Sequence, residues 1–481
     1  MRIAICMVLA VAVVLGLVAC GAKAGQKFEK GVLYAGFGRA DITPEITTPL
    51  GGYDSNDQRM SDRTLDPLLA TCIAFTEGEE TFLLFSVDAV RSKQAWTDRV
   101  RNEITKELKV PAENVLIVST HSHSAPNTNS SHASIAVYAD LYVEGCLEAA
   151  KAAMKDRAKA TMSTGSVMTE SMTFVRHYLM NDGTVSGPNF GSAASGYAGH
   201  VGRNDPEMIL VKLAREGKKD ILMMNFQAHT TLTGGATALD ISADYVGICR
   251  NEVERQADVH FAFFLGACGN QTPNSYIAQE NNVMPYADKL GSSDRNHITY
   301  GTALAYYALD LLPNLTEIKS GTGIKTTSEV VTLNTNKGGS DRMVDAQRVV
   351  DEWEAKGREA GNALAKQLGF NSVYECSGIL NNAKLPDTYD VEVYATRIGG
   401  LNFVNGPYEM FSENALYIKE NAPKSADEVT MVMTQTNHAW GYITDKKAFE
   451  YPCYENFGGT FAEGSGEILV EKMVELLGQI Q

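Results

Sequence analysis

Two histidines that stand two residues apart after an apolar run are the residues of this chain best suited to chemistry. Residues 115–118 read VLIV, and the following stretch STHSHSAP contains His121 and His123. Residues i and i+2 of a β-strand point to the same side, so we expect both imidazoles to face one cavity. Such a pair can bind a metal or relay a proton, and in a polar loop it can also serve only as a pair of hydrogen-bonding groups.

Polar side chains also follow other apolar segments, which end at distant points of the chain. LMMNF precedes His229, and two further apolar segments, AFFLG and VTMVM, precede a second set of side chains: Cys268, Asn270, Thr272, Asn437, His438 and Tyr442. Because ligand sites in open α/β sheets form beyond the carboxyl ends of strands, we expect these groups to share one site. Catalytic zinc takes histidine and carboxylate ligands and keeps a position open for water. His121 and His229 suit such a site, and both equally suit hydrogen-bonded positions in polar loops.

Strand-like and helix-like segments alternate along the chain and would position these groups. The pattern predicts strands on both sides of the turn EGEE, a strand at ENVLIVST, a hairpin around EGKKD, and strands at HFAFFLGACGN and VTMVMTQTN. It predicts helices at QAWTDRVRNEITKELK, YVEGCLEAAKAAMKDRAKA and ADYVGICRNEVERQAD, and one long helix over residues 341–368. We therefore predict an α/β fold, with a mixed β-sheet core flanked by helices in a single large domain. Residues 320–395 are the best place for a boundary or an insertion.

Composition and missing motifs exclude several classes of protein. The 481 residues are 44% apolar and 21% charged, as in a globular chain. The net charge of −16 argues against nucleic acid as a partner. A Gly-x-Gly-x-x-Gly motif is missing after the first predicted strands, so no nucleotide cofactor is expected. A Gly-x-Ser-x-Gly nucleophile elbow is also missing, which argues against a serine hydrolase.

The first 20 residues have the pattern of a bacterial lipoprotein signal. An arginine precedes an apolar stretch whose end, LVAC, resembles a lipobox, in which Cys20 receives lipid. We expect residues 1–20 to be a signal peptide, residues 21–30 a tether and residues 31–481 the folded domain, exported and anchored to the cell membrane outside the cytoplasm. An ordinary signal peptide with an incidental cysteine is the alternative. The later cysteines are predicted to be mostly buried thiols: Cys72, Cys146, Cys249, Cys268, Cys376 and Cys453.

Short landmarks spread over nearly the whole chain resemble one known family. They occur in the order of that family: GFGRADITP, GGY, NVLIVSTHSHSAP, NFQAH with ISADY downstream, GACGNQTPN and GYITDKKAFEYPCYE. In these motifs the chain resembles the neutral/alkaline non-lysosomal ceramidases, which are zinc amidohydrolases that cut the N-acyl bond of ceramide. The resemblance implies that residues 31–481 form a zinc hydrolase domain acting on a lipid-like N-acyl amide.

The resemblance also assigns roles to individual residues. It implies one zinc ion per chain, bound by two histidines, a glutamate and a tyrosine: His121, His229, Glu409 and Tyr442. Glu413 is the alternative carboxylate, because Tyr408 replaces the glycine that precedes the glutamate in the family. The resemblance further implies that five side chains serve the catalytic site: His123, Arg176, Thr272, Tyr451 and Tyr454.

The reaction implied by the resemblance is attack of a metal-activated water on the amide carbonyl. His123 would accept or relay the proton. Zinc and Tyr454 would stabilise the oxyanion that develops on the carbonyl. Arg176 and Thr272 would orient the amide or a neighbouring hydroxyl of the substrate.

Two departures from the family pattern bear on the substrate. The family sequence Gly-Asp-x-Ser-Pro-Asn is Gly-Asn-Gln-Thr-Pro-Asn here, so Asn270 and Thr272 replace the aspartate and the serine. The chain also ends soon after the YE segment, so the C-terminal β-sandwich domain of the family is expected to be absent. Two other functions therefore stay open: a metallohydrolase of another cell-envelope amide, ester or phosphoester, and a non-catalytic surface lipoprotein that binds a lipid or glycan.

Overall fold

The computed structural model describes residues 27–53, 59–188, 195–274, 284–291, 296–319, 321–423 and 428–481. The predicted signal peptide with Cys20, and the first part of the predicted tether, lie outside the described residues. The β-strands of the described residues are β1 Tyr34–Asp41, β2 Arg63–Thr64, β3 Leu69–Glu77, β4 Glu80–Val87, β5 Val115–Ser119, β6 Ala158–Met168, β7 Thr173–Val175, β8 Tyr178–Met180, β9 Val185–Ser186, β10 Tyr197–His200, β11 Glu207–Arg215, β12 Asp220–Phe226, β13 Asp240–Ile241, β14 Val259–Leu265, β15 Gln271–Pro273, β16 Thr316–Glu317, β17 Ile324–Asn334, β18 Thr388–Ile398, β19 Leu401–Asn405, β20 Glu409–Met410, β21 Val429–Met433 and β22 Tyr442–Ile443.

The α-helices of the same residues lie between and after these strands. They are α1 Gln94–Leu108, α2 Ala133–Lys155, α3 Asp244–Gln256, α4 Ala287–Leu290, α5 His297–Leu311, α6 Met343–Lys356, α7 Arg358–Gln367, α8 Val373–Asn382, α9 Ser412–Asn421, α10 Tyr454–Phe457 and α11 Ser465–Gln479. Within the ranges described above, no helix combines the length and the apolarity needed to span a bilayer.

The largest sheet is mixed and consists of two halves. Its strand order is β14-β12-β11-β6-β1-β3-β4-β5, with β16 pairing beside β6. Only two residue pairs, Tyr34–Lys159 and Ala35–Ala158, join β1 to β6 and thus join the two halves. The pairs β4–β5 and β12–β14 are parallel, and the other pairs in this order are antiparallel. The predicted α/β fold with a mixed sheet is therefore confirmed.

Three sheet surfaces share one apolar core, and helices cover their outer faces. Both halves of the large sheet and the four-stranded sheet β17-β18-β19-β21 contribute to this core, through residues such as Leu84, Met223 and Phe403. Helices α1 and α2 cover the first half, α3 and α5 the second, and α9 and α11 the smaller sheet. On β5, Leu116 faces the shared core while Ile117 faces the helices. Burial on both faces explains why such strands read as continuous apolar runs.

The curl of the large sheet brings together loops from its two opposite edges. The strand order places β5 at one end and β14 at the other, but the Ser86 hydroxyl of β4 donates to the Phe263 carbonyl of β14 at 2.5 Å. Beyond the strand ends, the Thr230 hydroxyl donates to the Thr120 carbonyl at 2.6 Å, and the His123 amide donates to the Thr230 carbonyl at 3.1 Å. The loops that follow β5 and β12 are therefore joined by hydrogen bonds at the edge where the sheet closes on itself.

Most of the predicted elements are present, and two of the predicted helices are wrong in extent. The helix predicted over residues 341–368 is two helices, α6 and α7, because Gly357 between them has φ 91°. The helix predicted to end in RAKA begins earlier, at Ala133, and residues from Ala158 onward belong to β6. Helices α6, α7 and α8 have an apolar cluster of their own. We call them the helical cap, and they lie inside the range predicted for a boundary or insertion. The described cysteines are all buried free thiols, as predicted.

Candidate metal site and substrate cavity

Two imidazoles and one carboxylate converge at the joined loops. Nε2 of His229 lies 3.1 Å from Oε2 of Glu409, and Nε2 of His121 lies 3.4 Å from the same oxygen. Both imidazoles are 1% exposed, and Glu409 is 6% exposed. Three potential metal ligands, contributed by distant segments of the chain, are therefore grouped around one buried point.

The backbone fixes which nitrogen of each imidazole is available. Nδ1 of His121 lies 2.6 Å from the carbonyl oxygen of Val90, and Nδ1 of His229 lies 2.5 Å from that of Cys268. A carbonyl oxygen only accepts, so each Nδ1 carries a proton, and in the neutral imidazole Nε2 then keeps its lone pair. A second nitrogen that donates to a carbonyl is typical of metal-binding histidines. With the carboxylate of Glu409, the donors fit zinc or a similar divalent ion.

Burial and neighbouring charges set the protonation of these groups. Burial alone would raise the pKa of Glu409, but the imidazoles of His121 and His229 hold this pKa well below its ordinary value. Burial lowers the pKa of His229, and the nearby Arg176 cation lowers it further. Near neutral pH the site therefore presents an anionic carboxylate and a neutral imidazole, which are the forms that bind metals.

His123 lies beside this group. Its Nε2 is 3.3 Å from Nε2 of His121, and its ring packs edge-on against Tyr53 with 4.7 Å between the centroids. Both histidines share one cavity, but strand alternation is not the reason, since β5 ends at Ser119 and His121 has φ 65° in a turn. Left-handed backbone at such a residue is strained and is often found at functional sites. Burial, and then the charges of His121 and His229, lower the pKa of His123 well below its ordinary value.

A buried ion pair holds the tyrosine that the resemblance assigns as the fourth ligand. Nη2 of Arg176 lies 2.6 Å from Oε1 of Glu455 and donates to the Tyr442 hydroxyl at 3.2 Å. Nε2 of His177 lies 2.9 Å from the other carboxylate oxygen of Glu455. Burial would raise the pKa of Glu455, but the Arg176 cation holds it far below its ordinary value. Glu455 therefore orients Arg176, and Arg176 orients Tyr442 beside His229, with 6.3 Å between the two ring centroids.

The other predicted catalytic residues lie in different places. Tyr454 begins α10, is 39% exposed and lines the same cavity as the two histidines. Tyr451 lines a neighbouring cavity, with its hydroxyl 3.3 Å from Nδ1 of His177. Thr272 is buried in β15 and is not among the residues that line the cavity. Tyr454 therefore lines the same cavity as the two histidines, whereas Tyr451 and Thr272 do not line it.

The two candidate carboxylates are clearly separated in space. Glu413 begins the exposed side of α9 and forms an ion pair with Arg203 at 2.9 Å. Glu409 lies between the two imidazoles, as described above. The structure therefore places Glu409, and not Glu413, in position to bind a metal with His121 and His229.

The site residues open onto a cavity of about 290 Å³. It is lined by Gly52, Arg91, His121, His123, Tyr374, Ser377, Gly378, Asn381, Glu409, Gly441, Tyr442, Tyr454, Glu455 and Gly458. One wall belongs to α8 of the helical cap, where Tyr374, Ser377, Gly378 and Asn381 recur at the spacing of a single helix face. A larger groove of about 680 Å³ includes none of these residues.

From the sequence, Cys268 is expected among the side chains of the shared site, but not as a potential metal ligand. Its thiol and one nitrogen each of His121 and His229 lie within 4.8 Å of one another, and all three residues are buried. The only signal available is its position after the strand-like segment AFFLG, in the motif GACGN. Cys268 is thus a neighbour of the candidate site that the resemblance leaves without a role.

A second buried group of metal-type donors is already satisfied within the protein. His177, Cys453 and Glu455 have ligand atoms within 4.8 Å of one another. The Cys453 thiol donates to the Glu455 carboxylate at 3.1 Å, and the Arg176 guanidinium balances the charge of that carboxylate. This group is therefore a hydrogen-bonded support of the candidate site, with no unmatched negative charge for a cation.

The fold and the donor group define a mixed α/β protein with a candidate divalent-metal site. A family model described as neutral/alkaline non-lysosomal ceramidase, N-terminal, matches residues 33–283, more than half of the chain. The chain therefore belongs to this family.

Solved structures show the same fold at low sequence identity. The neutral ceramidase from Pseudomonas aeruginosa is similar with a TM-score of 0.65 and 16% identity, over 93% of this chain and 75% of that chain. A ceramidase complexed with C2 is similar with a TM-score of 0.63 and 16% identity, over the same shares of the two chains. No curated protein sequence matches the chain.

Proposed function

We propose that this chain is a zinc hydrolase that cleaves the N-acyl amide bond of a ceramide-type lipid. The observation that carries the proposal is the convergence of Nε2 of His121 and Nε2 of His229 on one oxygen of Glu409. Tyr442, held by Arg176, would complete the ligand set. Membership of the ceramidase family supports amide hydrolysis as the reaction.

Residues around the donor group would divide the work of hydrolysis. A bound zinc ion supplies Lewis acidity and lowers the pKa of water that it coordinates. His123, kept neutral by burial, accepts a proton at Nε2, its atom next to the ligand group. Burial raises the pKa of Tyr454, so its hydroxyl stays protonated and can donate to the amide carbonyl oxygen as negative charge develops there. We assign no step to Thr272 or Tyr451, which lie behind the cavity wall.

The location of the protein is part of the same proposal. We infer that Cys20 carries lipid and holds the domain outside the cytoplasm at a membrane surface. A lipid substrate in that membrane would then be close to the cavity.

Metal removal tests the proposed function directly. We expect dialysis against a chelator to lower fatty acid release from N-acylsphingosine by more than ~100-fold, because the ion both polarises the amide and activates water. One equivalent of zinc should restore the rate. The same preparations are assayed with a matched ester and a phosphate monoester. A metal-free protein that keeps its full amidase rate, or a preference for the phosphate monoester, would contradict the proposal.

A substitution in α8 of the helical cap tests whether this helix forms a wall of the substrate cavity. A Cβ added at Gly378 would lie 1.6 Å from the carbonyl oxygen of Phe457, next to the turn that carries Tyr454. We expect Gly378→Ala to push α8 away from this turn, to destabilise the fold by ~1–3 kcal/mol, and to raise KM more than it lowers kcat.

A second glycine in a helix provides the control for this substitution. Gly478→Ala lies in α11, where an added Cβ meets nothing within 4 Å. Thermal unfolding and steady-state kinetics of both variants are compared with the wild type. If Gly378→Ala leaves KM as unchanged as Gly478→Ala does, α8 is not a wall of the substrate site.

A further inference from the structure

Arg91 is a cation of the cavity wall without a matching negative charge. It lines the cavity with His121 and His123. Its Nε is inaccessible to solvent and has no hydrogen-bond partner. In the part of the chain that the structure describes, no carboxylate forms an ion pair with it. The two terminal nitrogens of the guanidinium are not among the buried atoms without a partner, and because unsatisfied donors of a charged group are costly, a ligand group in the cavity is expected to bind them.

The backbone fixes Arg91 at the edge of the candidate metal site. The carbonyl oxygen of the preceding residue, Val90, accepts from Nδ1 of His121 at 2.6 Å. The Thr128 hydroxyl donates to the carbonyl of Arg91 itself at 3.4 Å. The half-buried side chain of Arg91 therefore starts one residue away from the group that anchors a ligand histidine.

The two carboxylates that line this cavity already have partners other than Arg91. Glu455 pairs with Arg176 at 2.6 Å, and Glu409 lies 3.1 and 3.4 Å from the two imidazoles. Arg91 remains, in a chain that has 58 acidic residues against 42 lysines and arginines. An arginine that stays unpaired among so many carboxylates is placed to receive a negative charge from outside the protein.

The cavity also limits which part of a lipid it can enclose. Its volume of about 290 Å³ is just below the ~300–1,000 Å³ typical of ligand pockets, so it has room for the amide and the atoms next to it. Ser377 and Asn381 of α8 line it, and neither side chain has a hydrogen-bond partner among the described residues. The enclosed part of the substrate is therefore expected to be polar.

We propose that Arg91 binds an anionic group next to the scissile amide. N-acyl amides that carry a carboxylate, sulfonate or phosphate next to the amide are then better substrates than neutral amides with the same acyl chain. The inference rests on the proposed amide hydrolysis and narrows its substrate. Arginine offers two parallel N–H donors to such groups. Hydrolysis adds water across the amide C–N bond, which breaks to give a fatty acid and the free anionic amine, and it needs no other reactant.

A matched pair of amides tests this inference. N-lauroylglycine and N-lauroylethanolamine share the acyl chain and differ in a carboxylate against a hydroxymethyl group. We expect the wild type to have a higher kcat/KM for N-lauroylglycine. Arg91→Met should lower that value by ~10–100-fold, as for a lost hydrogen bond to a charged group, and should lower the value for N-lauroylethanolamine by a much smaller factor. N-lauroyltaurine and phosphorylated N-lauroylethanolamine distinguish sulfonate and phosphate from carboxylate.

The controls separate this inference from the proposed function. Arg99→Met removes an exposed arginine of α1 and should change neither substrate. Equal kcat/KM for the two amides, or equal losses on both in Arg91→Met, would overturn the inference and leave amide hydrolysis standing. If the wild type hydrolyses none of the amides, the proposed function fails. In that case, calorimetry of N-lauroylglycine binding tests the role of Arg91 separately. Weaker binding to Arg91→Met than to the wild type supports that role, and equal binding refutes it.

Discussion

Replacement of His121 or His229 by alanine is expected to remove the bound metal and the hydrolytic activity together. Each imidazole places its Nε2 beside Glu409, and its Nδ1 is already committed to a backbone carbonyl. We expect a loss of activity larger than the ~10–100-fold that is typical when an outer hydrogen-bond partner of a metal ligand is lost. Elemental analysis of the purified variants, together with fatty acid release, measures both effects.

An exposed histidine provides the control for these substitutions. His132 caps α2 by accepting from the Ser134 amide, and His132→Asn keeps a side chain that caps helices well. This variant should retain one metal per chain and the activity of the wild type. If His121→Ala and His229→Ala also keep stoichiometric metal and full activity, the ligand assignment is wrong.

The substitution Glu455→Gln is expected to have the largest effect on stability. The side chains of Arg176 and Glu455 are 3% and 0% exposed, so the change leaves a guanidinium buried without its counter-charge. Loss of one partner of a buried ion pair typically costs ~3–5 kcal/mol. We also expect lower activity, because Arg176 is no longer fixed where it donates to the Tyr442 hydroxyl. Urea unfolding at neutral pH measures the first effect.

The same carboxylate predicts how stability depends on pH. The pKa of Glu455 is held far below its ordinary value of 4.5 by Arg176 and His177, against the effect of burial. A lowered pKa in the folded state stabilises the fold fully above pH 4.5 and loses this contribution as the pH falls towards the folded-state pKa. The difference in unfolding free energy between wild type and Glu455→Gln should therefore shrink between neutral pH and acid.

A surface glutamate separates this effect from general loss of charge. Glu413 pairs with the exposed Arg203, and such surface pairs contribute only ~0–1 kcal/mol. Glu413→Gln should therefore unfold close to the wild type and keep its metal. A similar loss of stability in both variants, or a difference between Glu455→Gln and wild type that stays constant with pH, would contradict the role given to the buried pair.

Local sequence patterns predicted the strands of this fold well because burial leaves a strong local signal. Strands such as β4 and β5 are covered on both faces, so they read as continuous apolar runs with turn residues between them. The prediction of one long helix over residues 341–368 is wrong because helical periodicity persists on both sides of Gly357, where the chain forms two helices. Periodicity reports which residues face a core, and it carries little information on where the axis of a helix changes.

The candidate site was only partly accessible from the sequence. His121 and His229 stand at strand ends, where a local pattern marks them. The choice between Glu409 and Glu413 depends on whether the chain turns inward or outward near α9, which spacing does not encode. The ion pair of Arg176 with Glu455 joins residues 279 positions apart, so no local pattern reveals it.

Anomalous diffraction at the zinc edge, from crystals of the zinc-loaded protein, tests the central claim most directly. We expect one strong peak per chain, at ~2.0–2.2 Å from Nε2 of His121, Nε2 of His229 and a carboxylate oxygen of Glu409. A peak at the group of His177, Cys453 and Glu455 instead, or no peak near the two histidines in zinc-loaded crystals, would contradict it.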